Sequence, residues 1–222
     1  TNVTALVKLV ANIDCHFIQI GSSEVYGSVN TPVNEQALTN PTSPYSVSKL
    51  AFDQHLVAMH HIKGLPMNII RPSNCIVEGQ QLHRVVPKSL ISGLTRRKIP
   101  LHGGGVARKS YLHATDLSRA VMTVIKSGGM GEIYNVGPDK PTAIADLVRM
   151  CLIASGGSWD ELVEVSPERT GQDSCYSISS EKVKALGWRQ EISLPDGIES
   201  VLRWVKAYPE LLEMDTSFTI RA

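Results

Sequence analysis

The chain has no closely paired cysteines. Cys15, Cys75, Cys151 and Cys175 are scattered through its 222 residues, and none forms a CxxC pair. That argues against a zinc site and a disulfide framework, and it suits a reducing cytoplasm. No run of about eighteen apolar residues occurs, so no segment is expected to span a membrane. The opening Thr1-Asn2-Val3-Thr4 lacks the charged and apolar regions of a signal peptide. A surplus of positive charge is also missing. With a formal net charge of +1, duplex nucleic acid is a poor partner, because binding it needs many cations to neutralise phosphates. There is no internal repeat, low-complexity tract or linker. What remains is 42% hydrophobic and 19% charged, an ordinary globular composition for one large domain or two small ones.

Periodicity divides the chain into alternating strands and helices. Leu6–Ala11 reads as the last turns of an amphipathic helix and Cys15–Ile20 as a buried strand stopped by Gly21. A polar loop runs through Pro44. Tyr45–His61 reads as a long helix with Val47, Leu50, Ala51, Leu56, Val57 and Met59 on its apolar face and Gly64 as its cap. Strands are expected at Met67–Arg71, Glu132–Val136 and Val163–Val165, and helices at Val85–Arg96, Asp116–Ser127, Ser180–Leu186 and Pro195–Lys206. A further helix, Thr142–Ala154, would take Thr142 as its N-cap. The alternation implies an α/β fold with a largely parallel sheet.

Two segments concentrate chemistry. Gly21-Ser22-Ser23-Glu24-Val25-Tyr26-Gly27 follows a strand, and ligands bind at the carboxyl ends of strands in open parallel sheets. Tyr45-Ser46-Val47-Ser48-Lys49 is a YxxxK at the start of a helix. Residues i and i+4 share a helix face, so Lys49 lies one turn from Tyr45 and its charge favours the phenolate, which is otherwise scarce at neutral pH. Such a couple, facing a strand-end hydroxyl, can take a proton from an alcohol while its carbon loses hydride. YxxxK alone is weak, and a helix start with a solvated lysine would produce it too. The ordered set is stronger: strand, Ser-Ser-Glu-Val-Tyr-Gly, proline-containing loop, YxxxK helix, then Ile69-Ile70-Arg71-Pro72-Ser73-Asn74.

This set resembles the extended short-chain dehydrogenase/reductases of the NAD-dependent epimerase/dehydratase family, and most of all the nucleotide-sugar 4,6-dehydratases of dTDP-glucose or GDP-mannose type. Thr1-Asn2-Val3, Ile99-Pro100-Leu101-His102-Gly103-Gly104-Gly105, Gly131–Gly137 and Leu186-Gly187-Trp188 resemble further family segments, so the similarity runs nearly end to end. The fold implied is the C-terminal part of a Rossmann-like doubly wound parallel sheet plus a smaller α/β substrate-binding region. The incomplete cofactor domain would comprise 1–75 and 111–137, and the substrate region 76–110 and 138–222.

The resemblance also implies roles. Tyr45 would take the proton from the sugar C4 hydroxyl, with Lys49 tuning it and holding the nicotinamide ribose. Ser22 would bond the C4 oxygen. Glu24 would remove the C5 proton once C4 is a ketone, completing a 4,6-dehydration. Ser23 stands where dTDP-glucose dehydratases have an aspartate acid, and hydroxyl-Ser-Glu is closer to GDP-mannose dehydratases and UDP-glucuronate decarboxylases. Ser22, Tyr45, Lys49, Pro72, Ser73 and Asn74 would contact NAD, and Asn74, Gln80, Arg108, Lys109 and Asp173 a nucleotide-diphosphate sugar, with Gln81 and Tyr176 nearby. Plain structural alternatives stay open: loop caps for Ser22 and Ser23, a strand-end carboxylate for Glu24, a solvated pair for Arg108 and Lys109, and a helix-entry residue for His113 of His113-Ala114-Thr115-Asp116, which is otherwise similar to a GDP-mannose enzyme motif. Two departures stand out: Cys75-Ile76-Val77-Glu78 replaces the family's x-Tyr-Gly-Pro, and the arginine common near Ser174 or Cys175 is lacking.

No GxGxxG or GxxGxxG occurs. The resemblance therefore implies a cytoplasmic enzyme whose glycine-rich, pyrophosphate-binding half lies outside these residues, dimeric when that part is present. A decarboxylase or 4-epimerase of the same family is the alternative reaction, and an inactive fragment or scaffold the alternative class. No metal is expected.

Overall fold

The computed structural model describes residues 2–167 and 174–217. In chain order its elements are α1 (Asn2–Val10), β1 (Phe17–Ile20), α2 (Pro44–Lys63), β2 (Met67–Pro72), β3 (Asn74–Ile76), α3 (Val85–Thr95), β4 (Ile99–His102), β5 (Arg108–Lys109), β6 (Tyr111–His113), α4 (Ala114–Ser127), β7 (Ile133–Val136), β8 (Thr142–Ala143), α5 (Ile144–Ser155), α6 (Trp159–Leu162), β9 (Val163–Ser166), α7 (Glu181–Ala185) and α8 (Leu194–Ala207). They form two compact units, one of Thr1–Cys75, Lys109–Pro141 and Asp173–Glu191, the other of Ile76–Arg108, Thr142–Gln172 and Ile192–Ala222.

The first unit is built on a parallel sheet in the order β1-β2-β7, with Ile18 opposite Asn68 and Ile70 opposite Tyr134. β2 is central, and five of its six residues are buried, as expected for a strand covered on both faces. Successive side chains point to opposite faces. Ile69 and Met67 join Phe52 and Leu56 of α2 and Val10 of α1 on one side. Ile70 joins Ala120 and Val124 of α4, with Tyr134, Val183 and Trp188, on the other. Between these apolar layers Asn68 is fully buried. Its amide nitrogen donates to the carbonyls of Gly129 (2.6 Å) and Glu132 (3.1 Å), and its oxygen meets His16 Nε2 at 2.9 Å. A buried amide is tolerated when its capacity is met in this way.

The segment after residue 173 differs from the sequence expectation. The resemblance implies that all of 138–222 belongs to the second region, yet Val183, Leu186 and Trp188 pack into the core of the first unit. The Trp188 indole donates to the Asp116 carbonyl (3.0 Å), and Val33 N to Ser177 O (3.2 Å). Long-range pairing of this kind leaves no periodic trace.

In the second unit β4 pairs in parallel with β9, and Leu101, Val148, Leu152 and Leu162 form its core. The sequence patterns miss β4, whose proline and histidine interrupt the alternation. α3 and α5 approach closely at Gly93, where an added Cβ would overlap the Ser155 side chain. Thr142 is not an N-cap. It lies in β8, and Ala143 precedes the first turn of α5 with no side-chain cap. Of the apolar face expected for α2, Leu50, Leu56, Val57 and Met59 do pack into cores, but Val47 and Ala51 are exposed and Phe52 is buried in their place, beside the polar Ser46 and Asp53.

Replacing Gly93 by alanine forces α3 and α5 apart. We expect Gly93→Ala to lower the unfolding free energy by roughly 1–3 kcal/mol in urea titrations, with Ser155→Gly in the same chain recovering part of the loss.

Candidate active site

The candidate site is assembled at the carboxyl end of β1. The Gly21 amide donates to the Ile70 carbonyl (2.7 Å), prolonging the β1–β2 ladder by one residue. The chain then turns. Ser22 caps a short 3-10 turn, Ser23–Tyr26, by accepting from the Glu24 amide (3.2 Å). The turn closes at Gly27, whose φ of 69° puts it in the left-handed half of backbone space, where a side chain would also overlap the Asn40 carbonyl. Ser22 and Ser23 are buried and Glu24 half-buried. The cap alternative for Ser22 is thus realised, and a hydroxyl that accepts one bond still has its own proton to donate.

α2 delivers Tyr45 and Lys49 to this strand end. Its start is set by a capping box in which Ser43 accepts from Ser46 N (3.1 Å) and Ser46 Oγ accepts from Ser43 N (3.0 Å), with Pro44 in the first turn. Tyr45 is 48% exposed. Lys49 Nζ donates to the Ile20 carbonyl (2.9 Å) and lies 5.8 Å from the centre of the Tyr45 ring. One ammonium therefore bridges the helix carrying the phenol to the strand leading into Ser22.

Beneath this lies a buried polar network. The Arg71 guanidinium on β2 donates through Nε to Asp53 Oδ2 (3.0 Å) and through a terminal nitrogen to the Tyr26 hydroxyl (2.9 Å). Tyr26 donates to Asn135 Oδ1 on β7 (2.9 Å), and the Asn135 amide donates to Glu35 (2.7 Å). Arg71, Asp53, Tyr26 and Asn135 are each 3% exposed or less. Burial pushes the Asp53 carboxyl above its ordinary range, while Arg71, and to a lesser degree Lys49, pull it back. Burial likewise raises the Tyr26 phenol against the pull of Arg71, so Tyr26 holds its proton at neutral pH and is no base. Sequence reasoning passed over Asp53, Glu35 and the pairing role of Arg71. The available signal was spacing: Asp53 follows Lys49 by one helical turn, as Lys49 follows Tyr45.

The remaining candidates are distributed as follows. Pro72 and Ser73 close β2, and Ser73 Oγ is a buried atom without a partner among the described residues. Asn74 is half-buried, its amide bonded to the Ser110 carbonyl (3.1 Å). Burial pushes the thiol of neighbouring Cys75 up to about 11. Lys109 lies in the first unit with its ammonium 5.0 Å over the Tyr176 ring, whereas Gln80 and Arg108 belong to the second unit. Asp173 lies outside the described residues. His113 caps α4 by accepting from the Thr115 amide (3.2 Å), the helix-entry alternative, and buried Asp116 accepts from Arg119 (2.7 Å) and the Glu191 amide (3.2 Å). Among the described residues no cluster of His, Cys, Asp or Glu could hold a metal, and no helix is long and apolar enough to cross a membrane.

Comparison with known proteins adds three findings. The family model described as NAD dependent epimerase/dehydratase family matches residues 1–137. A human protein named dTDP-D-glucose 4,6-dehydratase is 32% identical over 196 residues, covering 86% of this chain and 56% of that protein. The chain thus spans little more than half the length of this curated relative. Among solved structures, dTDP-glucose 4,6-dehydratase from Streptomyces venezuelae, crystallised with NAD, is similar at a TM-score of 0.88 and 27% identity, over 94% of this chain and 65% of that one. UDP-glucuronic acid 4-epimerase from Bacillus cereus has the same fold at a TM-score of 0.87 and 23% identity, over 93% and 68%.

Two outcomes follow from the burial. Arg71→Leu strands the Asp53 carboxylate and should cost about 3–5 kcal/mol of unfolding free energy at neutral pH. The deficit should shrink as pH falls, beginning above the ordinary carboxylate range, because burial without Arg71 raises the Asp53 carboxyl further and it takes up a proton there; unfolding titrations across pH measure this. In native protein at pH 8, iodoacetamide should label exposed Cys15 well before Cys75 and Cys151, whose thiols burial raises to about 11 and about 12, as peptide mass spectrometry would record.

Proposed function

Because this chain belongs to the NAD-dependent epimerase/dehydratase family, we propose that it is the catalytic part of a nucleotide-sugar 4,6-dehydratase. The observation that carries the reading is the Lys49 ammonium on the Ile20 carbonyl, one turn from Tyr45 and two residues before Ser22. The named dehydratase relatives support the same reaction.

NAD, when bound, would supply the hydride acceptor at C4 and return that hydride to C6. The residues present fit the nicotinamide end of such a group. An ammonium has three protons, and Ile20 takes one, leaving two for ribose hydroxyls. Ser73 Oγ is a buried atom that a bound group would satisfy. Pro72 and Asn74 would flank it. No glycine-rich phosphate turn occurs in these 222 residues, so the pyrophosphate end is assigned to none of them.

The chain's own part is proton traffic. Tyr45 takes the C4 hydroxyl proton as its phenolate is favoured by Lys49, and Ser22 donates to the C4 oxygen. The ketone at C4 acidifies C5, and Glu24 removes that proton. The C6 hydroxyl then leaves as water. Ser23 cannot supply that proton as an aspartate would, so Glu24 passes on the one it has just taken; recharged from solvent, Glu24 then gives C5 its proton as hydride reaches C6, and Tyr45 releases the C4 hydroxyl proton to solvent. Asn74 and Lys109 would hold the sugar diphosphate, with Gln80, Arg108 and Asp173 as further contacts. A dimer in the cytoplasm belongs to the same proposal.

An epimerase needs no base at C5, so Glu24 favours dehydration over epimerisation. The test is to incubate the full-length protein and NAD with dTDP-glucose, UDP-glucose, GDP-mannose and UDP-glucuronate and to weigh the products. We expect loss of the mass of water. Loss of carbon dioxide, or an isomer of unchanged mass, would replace this reading with a decarboxylase or an epimerase. Tyr45→Phe should lower kcat by about 10²–10⁴-fold, and unaltered turnover would overturn the mechanism.

A further inference from the structure

The buried carboxylate of Asp53 has more neighbours than its ion pair requires. Its Oδ2 takes the Arg71 Nε bond, whereas Oδ1 has no hydrogen-bond partner among the described residues. Both oxygens lie against Gly21: a Cβ there would stand 3.2 Å from Oδ1, 3.3 Å from Oδ2 and 3.4 Å from Arg71 Cγ. Gly21 links Ile20, whose carbonyl holds Lys49, to Ser22. Asp53 thus occupies the space a side chain at Gly21 would need, beside the short stretch of backbone that both the lysine and the strand-end hydroxyl depend on. It also lies one turn beyond Lys49 on α2, and the two charges attract each other.

The charged groups around it define the balance. Lys49 faces Asp53 from the same helix, and Arg71 from β2. Behind Arg71 lies the Tyr26 hydroxyl, and behind Tyr26 the carboxylate of Glu35, reached through Asn135. Two cations meet at these strand ends, and Asp53 is the carboxylate that faces both. Without it, Lys49 and Arg71 would repel each other across the end of β1.

We infer that Asp53 is a positioning residue for the Tyr45–Lys49 couple: clamped by Arg71 against Gly21, its carboxylate holds α2 on the end of β1 and keeps the Lys49 ammonium on the Ile20 carbonyl. The inference rests on the reading of Tyr45 and Lys49 given above, and it adds a third member to their helix face. Asp53 contacts neither substrate nor cofactor in this scheme; it acts through Lys49.

The experiment is a double-mutant cycle in the full-length protein: wild type, Asp53→Asn, Lys49→Met and the double variant. Each is measured for kcat and for its unfolding equilibrium in urea. Asn keeps the shape and an acceptor for Arg71 while removing the charge. We expect Asp53→Asn to lower kcat about tenfold with KM little changed when Lys49 is present, and less than about twofold in the Lys49→Met background. We expect the unfolding equilibria of the two substitutions to be coupled as well. A kcat loss that simply multiplies in the double variant would overturn the inference, as would additive unfolding equilibria. Turnover of none of the nucleotide sugars by wild type would defeat the dehydratase reading instead, and the unfolding cycle would still decide whether Asp53 holds Lys49. Should Asp53→Asn fail to fold, Gly21→Ala crowds the same carboxylate by a few tenths of an ångström. It should give a smaller kcat loss, of about threefold, that again vanishes with Lys49→Met; persistence of that loss would count against the inference.

Discussion

The ion pair between Arg71 and Asp53 is the constraint around which the first unit is organised. At 3.0 Å, with side chains no more than 3% exposed, neither partner has water to fall back on. Desolvating two charges is expensive, and the attraction between them offsets it only when geometry is good and the remaining donors are satisfied. Here Arg71 also reaches Tyr26, Tyr26 reaches Asn135, and Asn135 reaches Glu35. The chain of bonds crosses from α2 through β2 to β7 and the loop before α2. A one-residue slip of β2 would carry Arg71 to the opposite face of the sheet and break every link. Register and network therefore specify each other.

This explains why polar residues line the inner face of α2. Ser46 is consumed by the helix cap and Asp53 by the ion pair, and between them Lys49 reaches out to Ile20. Phe52 and Leu56 supply the apolar anchorage one layer away, Phe52 meeting Phe17 edge to face at 6.2 Å. The helix is thus held by grease on one flank and by charge on the other. Its first turn, which carries Tyr45, remains half-exposed at the strand end. The phenol of Tyr45 is thus accessible on a helix fixed from both sides.

The second unit shares none of this chemistry. The core cluster around Leu101 and Val148 is aliphatic, and α3 meets α5 over Gly93. Gln80 and Arg108 reside there, while Ser22, Glu24, Tyr45 and Lys49 all belong to the first.

Much was legible before any coordinates. β1, β2, β7 and the long helices announce themselves because burial on a strand or a helix face imprints a local period. The Gly64 cap, in the left-handed conformation, follows from backbone chemistry that is equally local. Tyr45 and Lys49 stand out by helical spacing and the strand-end segment by its place, while Ser22 and Glu24 take their roles only from the resemblance to the family. What the tertiary structure decided has no local imprint. Asp53 reads as one more polar helix residue until it meets Arg71 across the layer. The segment of Val183 and Trp188 reads as part of the substrate region until it packs with Tyr134, and β4 goes unread until β9 pairs with it. Thr142 resembles a cap until β8 takes it. In each case the deciding energy comes from desolvating or pairing groups far apart in the chain. Sequence determines which groups exist and their local geometry; only folding decides which partner each one finds.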